Sequence, residues 1–265
     1  MTPYRYAFGQ GCPVLALHGW GLDSGVWRDT QRLLSAYYRV TTLDLPGYGG
    51  NHSLGPAVGL EAMVEAVAAV ITEPTVCMGW SLGGMVAMAA ALRYPSKVRA
   101  LILVASTPCF VQKPDWPYGL PGRQLAAFAE GLASDYQGTL LRFLTLQAGQ
   151  GESARRVIKK FRQQVLERAA VDPSVLQTGL AVLQTTDLRP VLHTIDCPTL
   201  MFFGGRDVLV PAAVSDALSV LRPNWFGNIL ANSGHAPFIS HQEAFLARLQ
   251  VFLDEVCYGY PRNGR

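Results

Sequence analysis

Charge is scarce in this chain: Asp, Glu, Lys and Arg make up 15% of 265 residues against 49% apolar residues, and the formal net charge is only +3. So small a surplus excludes bulk attraction to nucleic acid or to a membrane surface as the basis of function. The apolar fraction excludes a disordered chain. Long hydrophobic runs are missing too. The early stretch Pro13 to Leu17 is too short to span a bilayer or to serve as a signal sequence, and Met1 to Gly11 offers no basic segment leading into a longer one. The five cysteines, Cys12, Cys77, Cys109, Cys197 and Cys257, are odd in number, scattered and without a C-x-x-C pair. Neither a disulfide framework nor a zinc site is expected from them, and a reducing compartment, the cytoplasm, fits. There is no metal-ligand cluster and no G-x-G-x-x-G loop, so no metal and no cofactor are expected.

What is present is an alternation. Short apolar runs at Val14 to Leu17, Arg39 to Asp44, Thr75 to Met78 and Ala100 to Ala105 read as strands, and the alanine-rich segments Leu60 to Ile71 and Leu82 to Arg93 read as helices between them. That order builds a parallel sheet through crossover units. The pattern changes after Ser106. Proline-rich connection follows, then helix-like stretches at Leu125 to Leu146, Ser153 to Ala169 and Ser174 to Leu183, before strands resume at Thr199 to Phe203 and Phe226 to Leu230 and a last helix runs from Gln242 to Val256. The parse is an α/β core (1–107 and 187–258), a helical lid inserted at 108–186 over the carboxyl edge of the sheet, and a flexible tail at 259–265.

The segment "MGWSLGG" carries the chemistry. Gly79, Trp80, Ser81, Leu82 and Gly83 form G-x-S-x-G directly after a strand, the pattern of a nucleophile elbow, in which the serine is strained at a turn and the glycines let strand and helix pass closely. A serine hydroxyl is a weak nucleophile near neutral pH, so it needs a base and a group that orients the base. In this arrangement acid and histidine should follow the serine in that order. His235, in "ANSGHAPF", lies in a loop just past the strand Phe226 to Leu230; His193 precedes a strand, at the wrong edge, and His241 starts the last helix. Asp207, in "FFGGRDVLV", follows the strand Thr199 to Phe203, whereas Asp187, Asp196 and Asp216 fall before strands or near helices. The catalytic candidates are therefore Ser81, Asp207 and His235. The N–H groups of Leu82, at a helix start, and Trp20, in "LALHGWGLD", are the candidate oxyanion donors. His18 is expected to shape its loop, and Asp44 to bond backbone amides of the glycine-rich turn after it.

These residues resemble the α/β-hydrolase superfamily, with a mostly parallel central sheet flanked by helices. The segments "LALHGWGLDSGVW", "LDLPGYG", "GWSLGGMVA", "VASTPCF", "DWPYGL", "RFLTLQ", "TTDLR" and "HAPFISH" resemble, more narrowly, the biotin-pathway pimeloyl-[acyl-carrier protein] methyl ester carboxylesterase (BioH) family, from about Leu15 to Phe252. The resemblance implies a cytoplasmic serine carboxylesterase that frees methanol from a methyl ester at the far end of a pimeloyl chain on an acidic carrier protein. It also implies that Phe143 lies beside the acyl chain, which Trp116 and Leu146 would help to wall. In "ESARRVIKKFRQQVLER", Ile158, Phe161 and Val165 follow helical spacing while Arg155, Arg156, Lys159, Lys160 and Arg162 take the other positions. Alone this is a solvated amphipathic helix; with the resemblance, Arg155, Arg156, Lys159 and Lys160, together with Arg142, become candidate carrier-docking residues. Gly138 stands where the family often has another basic residue. A broad short-chain carboxylesterase without a carrier is the alternative. A non-catalytic binding protein of the same fold would predict a broken triad, and all three residues are present.

Overall fold

Strand and helix alternate through the first hundred residues of the computed structural model, which describes residues 4–54, 59–146, 148, 152–167 and 171–259. Strands β1 (Arg5–Phe8) and β2 (Pro13–Leu17) are followed by α1 (Arg28–Leu34), β3 (Arg39–Leu43), α2 (Leu60–Val70), β4 (Thr75–Trp80), α3 (Leu82–Arg93) and β5 (Val98–Val104). Four helices come next: α4 (Gly122–Ser134), α5 (Tyr136–Leu146), α6 (Glu152–Glu167) and α7 (Pro173–Thr185). The chain closes with β6 (Thr199–Gly204), α8 (Ala213–Leu221), β7 (Trp225–Leu230), the single turn α9 (Pro237–Ser240) and α10 (Gln242–Tyr258).

The described strands form one seven-stranded sheet in the order β1-β3-β2-β4-β5-β6-β7. Every pairing is parallel except that of β1 with β3. β2, β4 and β6 are buried at every residue, as continuous apolar strands covered by helices on both faces must be. β1 is different: all four residues are exposed on the antiparallel edge. After β2 the chain first builds outward to β3 and then returns to place β4 on the other side. The carboxyl ends of β2 and β4 therefore flank the switch point at which open α/β sheets bind ligands.

The inserted helices differ in one respect from the sequence expectation of a single helix over 125–146. The chain breaks at Asp135 (φ −146°, ψ 82°), whose carboxylate accepts the Gly138 N–H at 3.0 Å and so starts α5 anew. The two ends of the insertion are tied together. The Leu188 N–H donates to the Pro108 carbonyl at 3.0 Å, and Asp187 binds both Arg189 and Lys113 at 2.7 Å. Arg189 also reaches Asp115 at 3.0 Å and lies over the Trp116 ring. The Arg189 guanidinium, aided by Lys113, holds the Asp187 carboxyl well below the usual carboxylate range.

One expectation is corrected. Cys12 and Cys257 form a disulfide, with Cα atoms 5.9 Å apart across 245 positions of sequence. Spacing cannot reveal such a pair, because α10 returns the end of the chain to the start of β2. There the Tyr258 hydroxyl also accepts the Cys12 N–H, and its ring stacks near Tyr38. Apart from Gly259, the tail expected at 259–265 lies outside the described residues. Among the described residues no helix is long and apolar enough to cross a membrane.

Candidate active site

Ser81 joins β4 to α3 with φ 55° and ψ −118°, a backbone that L-residues rarely adopt. Hydrogen bonds hold it there: its N–H donates to the Val104 carbonyl, and its own carbonyl accepts the Ser106 hydroxyl at 2.7 Å as well as the Gly84 and Met85 N–H groups. The flanking glycines are required by close approach. A Cβ on Gly79 would strike the backbone of Gly83 and Gly84, and one on Gly83 would lie 2.5 Å from the Leu17 carbonyl oxygen of β2. Leu82 opens α3, where the first N–H groups of a helix have no partner within it.

Asp207 follows β6 and His235 follows β7, at the same edge of the sheet. The His235 Nδ1 and an Asp207 carboxylate oxygen are 2.7 Å apart, with both side chains fully buried. The other carboxylate oxygen accepts the N–H groups of Leu209 at 2.8 Å and Val210 at 3.0 Å, so the loop fixes the carboxylate before histidine is considered. His235 is seated against the elbow, since the Trp80 Nε1–H donates to its carbonyl at 2.7 Å and the two rings lie 5.7 Å apart. Its Nε2 is buried and, among the described residues, has no hydrogen-bond partner. An imidazole with Nδ1–H committed to a carboxylate presents Nε2 as a base. The other histidines are used differently. His18 donates from Nδ1 to the Gly19 carbonyl at 2.8 Å and accepts the Leu45 N–H on Nε2 at 2.9 Å, which ties two loops together. Burial, with Arg156 and Arg206 nearby, pushes the His241 imidazole below its ordinary range. Asp44 accepts the N–H groups of Ser24 and Gly50, a structural task. Burial pushes the Cys77 thiol up to about 12, so it supplies no thiolate near neutral pH.

Trp20 follows β2, beside the elbow, where a Cβ on the adjacent Gly19 would lie 3.2 Å from the Ser81 Cβ. Its indole is held by the inserted helices. Nε1–H donates to the Leu176 carbonyl of α7 at 2.8 Å, and Phe143 of α5 packs edge-on with ring centroids 4.8 Å apart. Phe143 in turn meets Phe128 of α4 at 4.9 Å. Phe128, Leu141, Leu146 and Ile158 line a groove of about 750 Å³ whose wall also includes Arg142 and Arg162. Leu146 thus belongs to an exposed outer groove. Trp116 is bound to the Cys109 carbonyl at the base of the insertion. The sequence did not point to Trp80, Ser106 or the Leu176 carbonyl; the last acts through backbone and has no residue-type signal.

The basic residues of α6 do not share one environment. Arg155, Arg156 and Lys159 are exposed and Lys160 is half-buried, and Arg156, Lys159 and Lys160 line a smaller cavity of about 280 Å³ with Arg28 and Asp29 of α1. Lys160 pairs with Asp29 at 2.6 Å and holds that carboxyl below its ordinary value, which joins α6 to the core. Arg142 bonds Thr139 and lies 3.6 Å from Asp135. Among the described residues no group of three or more His, Cys, Asp or Glu is placed to hold a metal ion.

A strained serine after one strand, and an aspartate–histidine pair after two others at the same sheet edge, define a class, the α/β hydrolases. The family model for the alpha/beta hydrolase fold matches residues 13–242. Among solved structures, an esterase from Exiguobacterium antarcticum superposes with a TM-score of 0.84 at 25% identity, covering 93% of each chain. The chain is 41% identical to the pimeloyl-[acyl-carrier protein] methyl ester esterase of Nitrosomonas europaea, over 90% of this chain and 94% of that one. It is 40% identical to the protein of the same name from Salmonella paratyphi A, over 92% and 95%. The chain belongs to the pimeloyl-[acyl-carrier protein] methyl ester esterase family of α/β hydrolases.

Proposed function

We propose that this protein is a serine carboxylesterase that removes the methyl group from pimeloyl-[acyl-carrier protein] methyl ester, with Ser81, His235 and Asp207 as its triad. The observation that carries the esterase reading is the His235 imidazole, bound through Nδ1 to a buried carboxylate and with Nε2 unpartnered among the described residues, at the sheet edge where Ser81 holds its strained backbone. Ser81 Oγ attacks the ester carbonyl while its proton passes to His235 Nε2, and Asp207 stabilises the imidazolium. The N–H groups of Trp20 and Leu82 receive the charge on the tetrahedral oxygen. Collapse breaks the bond to methoxide, which leaves as methanol with the proton from His235. Water, deprotonated by the same imidazole, then releases the pimeloyl carboxylate from Ser81.

The helices of 108–186 act in this reading as a lid, separate from the core at 1–107 and 187–258. The contact series Trp20, Phe143, Phe128 leads from the oxyanion loop to the apolar groove beside Arg142 and Arg162. In this reading the groove takes the acyl chain and its prosthetic arm, with Arg142, Arg155, Arg156 and Lys159 drawing in an acidic carrier. Lys160 contributes less, being engaged with Asp29. The enzyme would meet this carrier in the cytoplasm. Reversing Arg155 and Arg156 to glutamate tests the docking. Exposed charges act over about 8 Å at physiological ionic strength and chiefly set association rate. The double variant should therefore raise KM for the carrier-bound ester, weaken its salt dependence and leave a p-nitrophenyl ester unaffected. Equal effects on both substrates, or none on either, would place the carrier elsewhere.

A further inference from the structure

Gly179 lies in the middle of α7, where alanine would favour the helix by about 1 kcal/mol. Close packing explains its presence. A Cβ there would lie 2.7 Å from Trp20 Cδ1, 3.1 Å from Trp20 Nε1 and 2.7 Å from the Tyr48 hydroxyl. One turn earlier on the same face, the Leu176 carbonyl accepts the Trp20 indole N–H at 2.8 Å. Phe143 closes another side of the ring, and Leu140 presses on Gly21, the next residue of the loop, which holds φ +79°. Trp20 is 1% exposed, so its indole is enclosed by protein.

The residue proposed to supply an oxyanion donor is thus held by the inserted helices as much as by its own loop. Non-bonded carbons settle at about 3.5–4.0 Å, so a methyl group on Gly179 would have to move the indole, or α7, by roughly 1 Å. Displacements of that size at a reacting centre cost about a hundredfold in rate. The structure assigns to Gly179, together with the backbone carbonyl of Leu176, the positioning of Trp20, so that the oxyanion hole is complete only when α7 is seated on the core. This rests on the reading of Ser81 as nucleophile and of Trp20 as oxyanion donor. Gly179 touches no reacting atom; it is a positioning residue.

The test is Gly179→Ala, with active sites counted by a phosphonate that labels the nucleophilic serine. Kcat per titrated site should fall by about tenfold or more, while KM for p-nitrophenyl acetate changes little. Affinity for a trifluoromethyl ketone, which forms a tetrahedral adduct, should fall in step with kcat. Removing the Tyr48 oxygen in the Gly179→Ala background, by Tyr48→Phe, should restore part of the loss, because one of the two crowded neighbours is gone. A purely structural role would lower Tm and the titrated fraction and leave kcat per site unchanged, and that result overturns the assignment. Should Gly179→Ala not fold, Trp20→Phe removes the indole N–H and keeps the backbone donor; wild-type kcat in that variant likewise overturns it. Ser81→Ala, run alongside, separates the two readings. Activity in Ser81→Ala would refute the triad, whereas an inactive Ser81→Ala beside a fully active Gly179→Ala would refute the positioning alone.

Discussion

Replacing Asp207 with asparagine changes few atoms, and the structure specifies what they do. One carboxylate oxygen accepts the N–H groups of Leu209 and Val210, and the other faces His235 Nδ1 at 2.7 Å. An asparagine must keep its oxygen on the two backbone donors, since turning its NH₂ toward them would bury donors against donors. The NH₂ then faces His235 Nδ1, which has to become an acceptor, and the ring proton moves to Nε2. An imidazole protonated at Nε2 cannot take the proton of Ser81. The wrong tautomer costs about 10⁴-fold in kcat in a serine triad, equivalent to about 5.4 kcal/mol of transition-state stabilisation. KM should change little because no substrate contact is lost. The assay is kcat on p-nitrophenyl acetate, with the protein shown to be folded by its thermal transition. Asp207→Asn protein with kcat within tenfold of wild type would refute the tautomer argument and the role of Asp207 with it.

Phe143→Ala removes a buried ring between Trp20 and Phe128, so kcat/KM should fall more for long acyl esters than for acetate; equal losses at all chain lengths would make Phe143 only a packing residue. The same variant should lower Tm by roughly 10 °C, from the about 3–5 kcal/mol typical of such a cavity. Opening the Cys12–Cys257 bond with reductant releases a loop closed over 245 positions, which should cost about 2–4 kcal/mol of stability and leave kcat unchanged. For Asp187 the folded pKa lies below the unfolded value of about 3.8. Its contribution is therefore present above that value and lost only as pH falls through the depressed pKa. Asp187→Asn should destabilise the protein by about 1 kcal/mol at neutral pH, discounting for the solvent-screened Lys113 and Asp115, and the deficit should vanish in strong acid.

Much of the site was legible because its signals are local. The elbow needs only Gly79, Ser81 and Gly83 after an apolar run, and the proposed acid and base, Asp207 and His235, follow β6 and β7 at the same edge of the sheet. The strands read most plainly, such as β2 and β6, are apolar segments buried along their length. β1 could not be read, since its four residues are all exposed and owe their strand to pairing with β3. The break at Asp135 depends on one side chain capping α5 and is invisible to periodicity. Contacts between distant segments were least readable. The Cys12–Cys257 bond joins the two ends of the chain, the Trp20 indole bonds a backbone carbonyl 156 positions away, and Lys160, one of five apparently equivalent basic residues, turns to Asp29. Helical spacing places residues on a face and does not say which of them will find an ion pair on a neighbouring helix.

The most direct measurement of the central claim is hydrolysis of pimeloyl-[acyl-carrier protein] methyl ester by the purified protein, followed by intact mass of the carrier and by methanol release, with Ser81→Ala as control and p-nitrophenyl acetate as the comparison substrate. The predicted result is stoichiometric conversion to the free pimeloyl carboxylate on the carrier, at a kcat/KM above that for the small ester, and none by Ser81→Ala. Turnover of p-nitrophenyl acetate with no demethylation of the carrier-bound ester would contradict the proposed substrate, and demethylation by Ser81→Ala would contradict the triad.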